Sequence, residues 1–452
     1  MKVKHSAVRW AVLGVLGLQA LTAHAIDLVG AYEHALRYDP AKLAADEALA
    51  AGREKAVQGD ALLRPRIGLT AGVNYVDSRS SSSLPPALAS VVPSDSNGSV
   101  RQASVQLTQP LYDASARADK QQLHQLSALA ETQFDQSRQD LAQRVAEAYF
   151  GVLLAEETVR VVQAEKAAIG AQRDRAQARF DVGRGKVTDL QEAQARYDQV
   201  QTKEISALSN LDLRRAAFKE AIGLPAQDLT PLATSFAPVA PQPDSLAAWQ
   251  AKGEDQSTLV RVRRSQLEIA GAEIGKHKLA GRPTLNLVAS YTASDQSGGL
   301  SPLAASDNQR NAVVGLQLNV PLYAGGAIDS RERESLARQR QADQELSAAR
   351  RDVRLQVQDA YLSVKTNVSR IASFQQSLIS ARSALEATTL GRDVGTRTEL
   401  DVLDAQQRSF AAELDLAQAR FDYLLGRVRL AAAVGELGEA DLRALNGWLA
   451  TR

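Results

Sequence analysis

The chain carries its own pattern twice. Gln106 to Tyr112 (QLTQPLY) returns as Gln317 to Tyr323 (QLNVPLY), and Asp181-Val182-Gly183 with Asp189, Ala193 and Gln194 returns 212 positions later as Asp393-Val394-Gly395 with Asp401, Ala405 and Gln406. Ala148-Tyr149 and Gly223 meet Ala360-Tyr361 and Gly435 at that same spacing. A duplication that keeps both a strand exit and a remote helix end repeats one structural unit. The unit is too long for a solenoid repeat, so the two copies are expected side by side.

The compartment follows from the N-terminus and the composition. Lys2, Lys4 and Arg9 precede an apolar run from Trp10 to Leu21, and Ala23-His24-Ala25 forms an A-x-A cleavage site, so residues 1–25 read as a secretory signal peptide. The run is too short for a spanning helix, and no other segment approaches the roughly 20 apolar residues such a helix needs. If the protein crosses a membrane, strands must do it. With no cysteine, the chain has no disulfide and no thiolate metal site although it is exported. Loss of the leader takes the formal charge from +1 to −2, and that near neutrality argues against a nucleic-acid partner.

Proline punctuates the rest. None lies between Pro110 and Pro225 and none follows Pro321, while Ala, Gln, Arg, Glu and Leu dominate both stretches. Leu141, Ala148, Ala155, Val162 and Ile169 recur at seven-residue steps with Val145, Val152 and Val159 between them, which is a coiled-coil seam with small knobs. Helix ends with tight reversals are expected at Val182-Gly183-Arg184-Gly185 and Val394-Gly395-Thr396. A helix from about Asp113 to Phe180 would run roughly 100 Å. Its return, about Val187 to Ile222, is half as long, and a helix from about Leu28 to Leu62 supplies the missing length. The second copy behaves alike, with Ala327 to Gly391 long, Glu399 to Val434 short, and Asp255 to Ala280 making up most of the difference. The expected organisation is a first repeat over 26–223, a linker over 224–246, a second repeat over 247–435 and a C-terminal segment over 436–452.

Between the helices, four segments alternate at period two, over about 66–77, 100–109, 284–292 and 311–320. Ile67, Leu69, Ala71, Val73 and Tyr75 form one apolar face, Ala103, Val105 and Leu107 a second, Leu285, Leu287, Ala289 and Tyr291 a third, and Ala312, Val314, Leu316, Leu318 and Val320 the fourth. Thr70, Asn74, Gln106, Ser290 and Gln317 lie on the opposite wall. About ten residues with one apolar and one wet wall is the pattern of a tilted membrane strand lining a water-filled barrel. Period two alone favours a half-buried antiparallel sheet of a soluble domain; the leader, the lack of a spanning helix and the attached rods reverse that preference toward the barrel. Ser78 to Ser99 and Ser294 to Arg310 read as long polar loops. Four strands cannot close a barrel in lipid, so copies must pool them. Two copies give eight strands and three give twelve, and the wide mouth that long helices need favours three.

Taken together, these segments resemble the TolC family of outer-membrane channels over nearly the whole mature chain. The resemblance is carried by Leu63-Arg64-Pro65-Arg66, Gln106 to Tyr112, Arg179-Phe180-Asp181-Val182-Gly183, Gln317 to Tyr323 with Gly325-Gly326, and Val394-Gly395-Thr396-Arg397-Thr398 followed by Asp401-Val402-Leu403-Asp404-Ala405. It implies a mainly α fold with a transmembrane β portion: a homotrimer with a twelve-stranded barrel continued by a periplasmic α-helical barrel. Its equatorial region would come from about Leu224 to Leu246 and Glu436 to Trp448. The implied function is a passive exit duct for tripartite efflux or type I secretion, with a periplasmic adaptor and an inner-membrane ABC, RND or MFS transporter as partners and outer-membrane lipid around the barrel.

Asp401 and Asp404 are three apart and share a helix face, so a trimer would stack two rings of carboxylates. The resemblance makes these rings the entrance gate and cation filter; for a generic Asp pair a solvated acidic tip is the ordinary reading. Thr188, Asp189 and Arg397 match family positions that hold the closed state. Where the family often has a tyrosine bonded to the aspartate at the Asp189 position, this chain has Arg392, and a bidentate latch to Asp189 is expected there unless Arg392 is simply an exposed helix-end cation. Pro110 with Tyr112 and Pro321 with Tyr323 mark the strand-to-helix corners, the tyrosines either anchoring at the membrane's inner edge or packing under the corner. His34, His124 and His277 have no metal spacing, no nucleophile has a base partner, and no cofactor or catalytic site is expected. The rival reading is a periplasmic coiled-coil adaptor or scaffold without its own barrel.

Overall fold

The computed structural model describes residues 26–79, 95–298, 300 and 306–450, so the leader lies outside the described residues. Helix α1 (Leu28–Tyr38) is capped by Asp27, whose carboxylate accepts from Gly30 N at 2.8 Å. The single N-terminal helix expected over Leu28 to Leu62 is in fact two, because Asp39 is extended and restarts the chain as α2 (Pro40–Ala61) with Pro40 in its first turn. A residue before proline is pushed out of the helical region, and proline itself is at ease where no N–H bond is needed. The second repeat breaks at the same place. Helix α5 (Leu246–Gln256) and helix α6 (Thr258–Leu279) have 11 and 22 residues, as α1 and α2 do, and meet at buried Ser257. The sequence expectation that a helix begins near Asp255 misses α5, since no proline marks this break.

Strands β1 (Arg66–Arg79), β2 (Asp95–Tyr112), β3 (Thr284–Gly298) and β4 (Ser306–Asn319) form one antiparallel sheet in the order β1-β2-β3-β4. The two repeats therefore share a sheet through β2 and β3. Ile67 faces Leu107, Leu69 faces Val105, Val105 faces Tyr291 and Ala289 faces Val314, so the four apolar faces fall on one wall. On the other wall Thr70 faces Ser104, which pairs with Thr292 at 3.1 Å, and Gln106 faces Ser290. The strands have 14, 18, 15 and 14 residues, longer than the ten expected, because polar residues such as Ser96, Asn97, Ser294 and Gln296 continue the ladder beyond the apolar band. The polar loops shrink accordingly, to residues that are largely outside the described ones.

Helix α3 (Ala114–Asp181) has 68 residues and helix α7 (Ala327–Asp393) has 67, each about 100 Å long at the α-helical rise. Helix α4 (Val187–Ile222) returns along α3, helix α8 (Glu399–Ala433) returns along α7, and α2 and α6 pack along the remaining lengths. Gly223 and Gly435, both at φ 81°, are where each short helix butts against its stacked partner. A Cβ on Gly223 would enter the Tyr38 ring and one on Gly435 would lie 2.3 Å from Gln256 O, which explains why the duplication keeps glycine at both. The seam residues Leu141, Val145, Val152, Ala155, Val159, Val162 and Ile169 are buried and Ala148 is partly so.

The core is thickest at the waist, where Tyr149, Phe150, Phe218 and Phe421 gather. Full burial of such side chains stabilises the fold by about 1.5–3 kcal/mol each. Tyr149 Oη donates toward Ile26 O and Thr230 O at 3.0 Å, tying the N-terminus and the linker to α3. The linker also meets the C-terminal segment, with its short helix α9 (Glu439–Asn446), through Ala233 N to Trp448 O at 2.9 Å and the Leu232 to Leu449 bridge. No helix among the described residues is long and apolar enough to cross a membrane.

Candidate functional site at the helix tips

Helices α3 and α7 end in the same reversal. Gly183 (φ 73°) and Gly395 (φ 80°) take the left-handed conformation, and Arg184 N donates to Arg179 O as Thr396 N does to Gly391 O, each at 2.8 Å. These six-to-one bonds satisfy carbonyls that the helix end leaves free.

Beyond the second turn, α8 opens with a reciprocal cap. Thr398 Oγ1 accepts from Asp401 N at 3.1 Å, while Asp401 Oδ2 accepts from Thr398 N at 2.8 Å. That backbone N–H, together with the Thr398 hydroxyl at 2.9 Å, holds the Asp401 carboxyl below the usual carboxylate range. Asp401 is thus an ionised group fixed to its own helix end. Asp404, one turn on, is engaged from the other repeat: Arg196 on α4 donates from Nη2 to Asp404 Oδ1 at 3.0 Å and from Nη1 to Gln407 Oε1 at 2.9 Å. Sequence reasoning missed Arg196, although it stands seven residues after Asp189 and so on the same face of α4.

The structure does not bring Arg392 to Asp189. Its guanidinium, 7% exposed, donates to Asp393 Oδ1 at 2.7 Å, to Gln172 Oε1 at 3.2 Å and to Glu399 Oε1 at 3.3 Å. Glu399, 6% exposed, also accepts from Arg179 at 3.3 Å, so a buried carboxylate on α8 gathers guanidiniums from α7 and α3. The exposed-cation alternative for Arg392 fails with the latch, for the physical reason that Glu399 lies closer along the same turn. Thr188, Asp189 and Arg397 are exposed, and among the described residues their side chains have no hydrogen bond or ion pair.

At the far end of the rods, β2 runs through Pro110 with a register irregularity before Tyr112, and the corner proper is at Asp113, which caps α3 by accepting from Ala116 N at 2.8 Å. Pro321 follows the end of β4, and Tyr323 is 88% exposed. Tyr112 is also exposed, with the Arg117 guanidinium 5.6 Å from its ring centre, so neither tyrosine packs under its corner in this chain.

Comparison with known proteins agrees with this architecture. Residues 31–224 and 254–436 match the outer membrane efflux protein family, one segment per repeat. The chain is 31% identical over 438 residues to outer membrane protein TolC of Vibrio cholerae, covering 97% of each. It is 30% identical over 439 residues to the proteases secretion protein PrtF of Dickeya chrysanthemi, covering 96% of this chain and 93% of that one. Among solved structures, the CmeC outer membrane channel of Campylobacter jejuni superposes with a TM-score of 0.78 at 15% identity, over 100% of this chain and 98% of that one. A twice-repeated unit of paired strands and long hairpins, matched over nearly its full length, places this chain in the outer membrane efflux protein family, as a TolC-like channel protein of the Gram-negative outer membrane.

Proposed function

We propose that three copies of this chain close their sheets into a twelve-stranded barrel in outer-membrane lipid, continue it as a helical barrel through the periplasm, and serve as the passive exit duct of tripartite efflux pumps and type I secretion. The observation that carries this reading is the sheet. Its four apolar faces lie on one wall, its edges β1 and β4 have no pairing strand among the described residues, and Leu69, Val73, Val314 and Leu316 are exposed. Unpaired edges are intolerable in hydrocarbon, and copies arranged around an axis remove them all. A family of efflux proteins and a relative named for protease secretion support both transport routes. An inner-membrane ABC, RND or MFS transporter and a periplasmic adaptor would supply energy and docking at the tips.

In this reading Asp401 and Asp404 line the entrance as stacked carboxylate rings and favour cations. Thr188, Asp189 and Arg397 have their side chains available to link neighbouring chains in the closed state. Arg392 and Glu399 hold the two hairpins of one chain together. Tyr112 and Tyr323 sit at the inner membrane edge.

Sedimentation of the mature protein in density-matched detergent tests the reading. A particle of three chains with a detergent belt is expected; a detergent-free soluble particle would overturn it in favour of a periplasmic scaffold.

A further inference from the structure

Of the two aspartates in the opening turns of α8, Asp404 has an ion-pair partner and, among the described residues, Asp401 has none. Arg196 Nη2 lies 3.0 Å from Asp404 Oδ1, whereas Asp401 is bonded only to the neutral groups of Thr398. The pair also joins the two hairpins, because Arg196 belongs to α4 and Asp404 to α8. Little else holds these helices together locally: Leu403 is the one α8 residue in the small apolar cluster of Val162, Ile169, Ala193 and Val200. Arg196 is positioned from three sides, by Asp404, by Gln407 at 2.9 Å and by Glu192 at 3.5 Å.

Resting on the channel reading above, we propose that Arg196 is a selectivity-determining residue: it neutralises Asp404 while α4 and α8 are docked. Of the Asp401 and Asp404 pair, the docked tip then shows the lumen one unpaired carboxylate per chain, Asp401, and gains the second when α8 separates from α4. Cation preference at the entrance is thereby set by an arginine of the first repeat and rises as the hairpins part. A guanidinium 3.0 Å from a carboxylate leaves only a dipole at lumen distances, so the pair acts weakly on a passing ion until it is broken.

The test is the potassium-to-chloride permeability ratio, from reversal potentials of the purified full-length mature protein in planar bilayers under a salt gradient. Arg196→Gln is expected to raise the ratio several-fold, Asp404→Asn to lower it, and the double variant to return within about twofold of the wild-type value. Arg196→Lys, which keeps the charge without the fork, is expected to retain the wild-type ratio and guards against a folding artefact in Arg196→Gln. An unchanged ratio in a conducting Arg196→Gln channel, or a double variant that behaves as Asp404→Asn, would overturn the assignment and leave the channel reading standing. Absence of conductance in every variant and in the wild type would overturn both.

Discussion

At the level of single residues, the tip shows how a shared motif acquires chain-specific chemistry. Glu399 is buried between Arg179 and Arg392, and a buried carboxylate is stable only with such partners. Glu399→Gln keeps the shape and removes the charge, which is expected to weaken docking of α8 by about 1–3 kcal/mol. The readout is closed-channel conductance, expected to rise in Glu399→Gln as α8 loosens; unchanged conductance would show that Arg179 and Arg392 do not hold α8 through Glu399. Asp401 gives a pH prediction. Its carboxyl is held down first by the Thr398 amide and then by the hydroxyl, so its folded value lies below its unfolded one. The capping contribution is therefore fully present above the unfolded value and lost as pH falls through the folded value. Cation preference is expected to persist as pH drops through the ordinary carboxylate range and to be reduced at all pH values in Asp401→Asn. A preference that fades near the usual aspartate value would show that Thr398 does not hold the group.

The elements record the duplication more faithfully than the residues do. Breaks at Asp39 and Ser257 divide 11-residue from 22-residue helices in both repeats, yet the sequence reading has neither, expecting one helix over Leu28 to Leu62 and another from about Asp255. Asp39-Pro40 carries the chemistry of a helix restart, but strong helix formers on both sides mask it, and Ser257 is of a type that suits an N-cap with no proline to mark the break. The long rods and the tip reversals were legible because seam spacing and Val-Gly pairs are local signals. Arg196 and Glu399 were not, because their partners lie on another helix and are fixed only by how the hairpins pack. The two breaks also differ energetically. Asp39 accepts from Lys42 N at 2.8 Å and from Arg144 at 3.0 Å, while Ser257 makes no side-chain cap. Asp39→Ala is expected to cost about 1–2 kcal/mol and Ser257→Ala under about 0.5 kcal/mol. Amide exchange in the first turns of α2 and α6 checks this: Lys42 should lose protection in Asp39→Ala, with little change in α6 of Ser257→Ala. Equal losses would mean that the caps are equivalent and the asymmetry lies elsewhere.

On the scale of the whole molecule, the sheet and the rods impose one requirement on each other. The rods bury their seams within a single chain, but among the described residues the sheet leaves an apolar wall and two edges, β1 and β4, uncovered. In the proposed trimer, assembly is therefore driven at the strand end, with the tips left to lighter ionic contacts that are able to break. The two walls should then respond oppositely to charge. Val314, 75% exposed, lies within the apolar face of the edge strand β4, while Gln106 lies on the opposite, polar wall of the sheet on β2. An arginine at mid-depth on a lipid-facing strand costs about 2–4 kcal/mol, and one on a water-filled wall costs little beyond local repulsion. Val314→Arg is expected to lower sharply the amount of trimer recovered from outer membranes, whereas Gln106→Arg should assemble normally and shift the conducted ions toward anions. Normal trimer yield in Val314→Arg, or loss of assembly in Gln106→Arg alone, would reverse the two walls and place the apolar face inside the barrel. That arrangement conflicts with a water-filled duct, so the pair of variants tests the orientation of the sheet and the transport reading in one comparison.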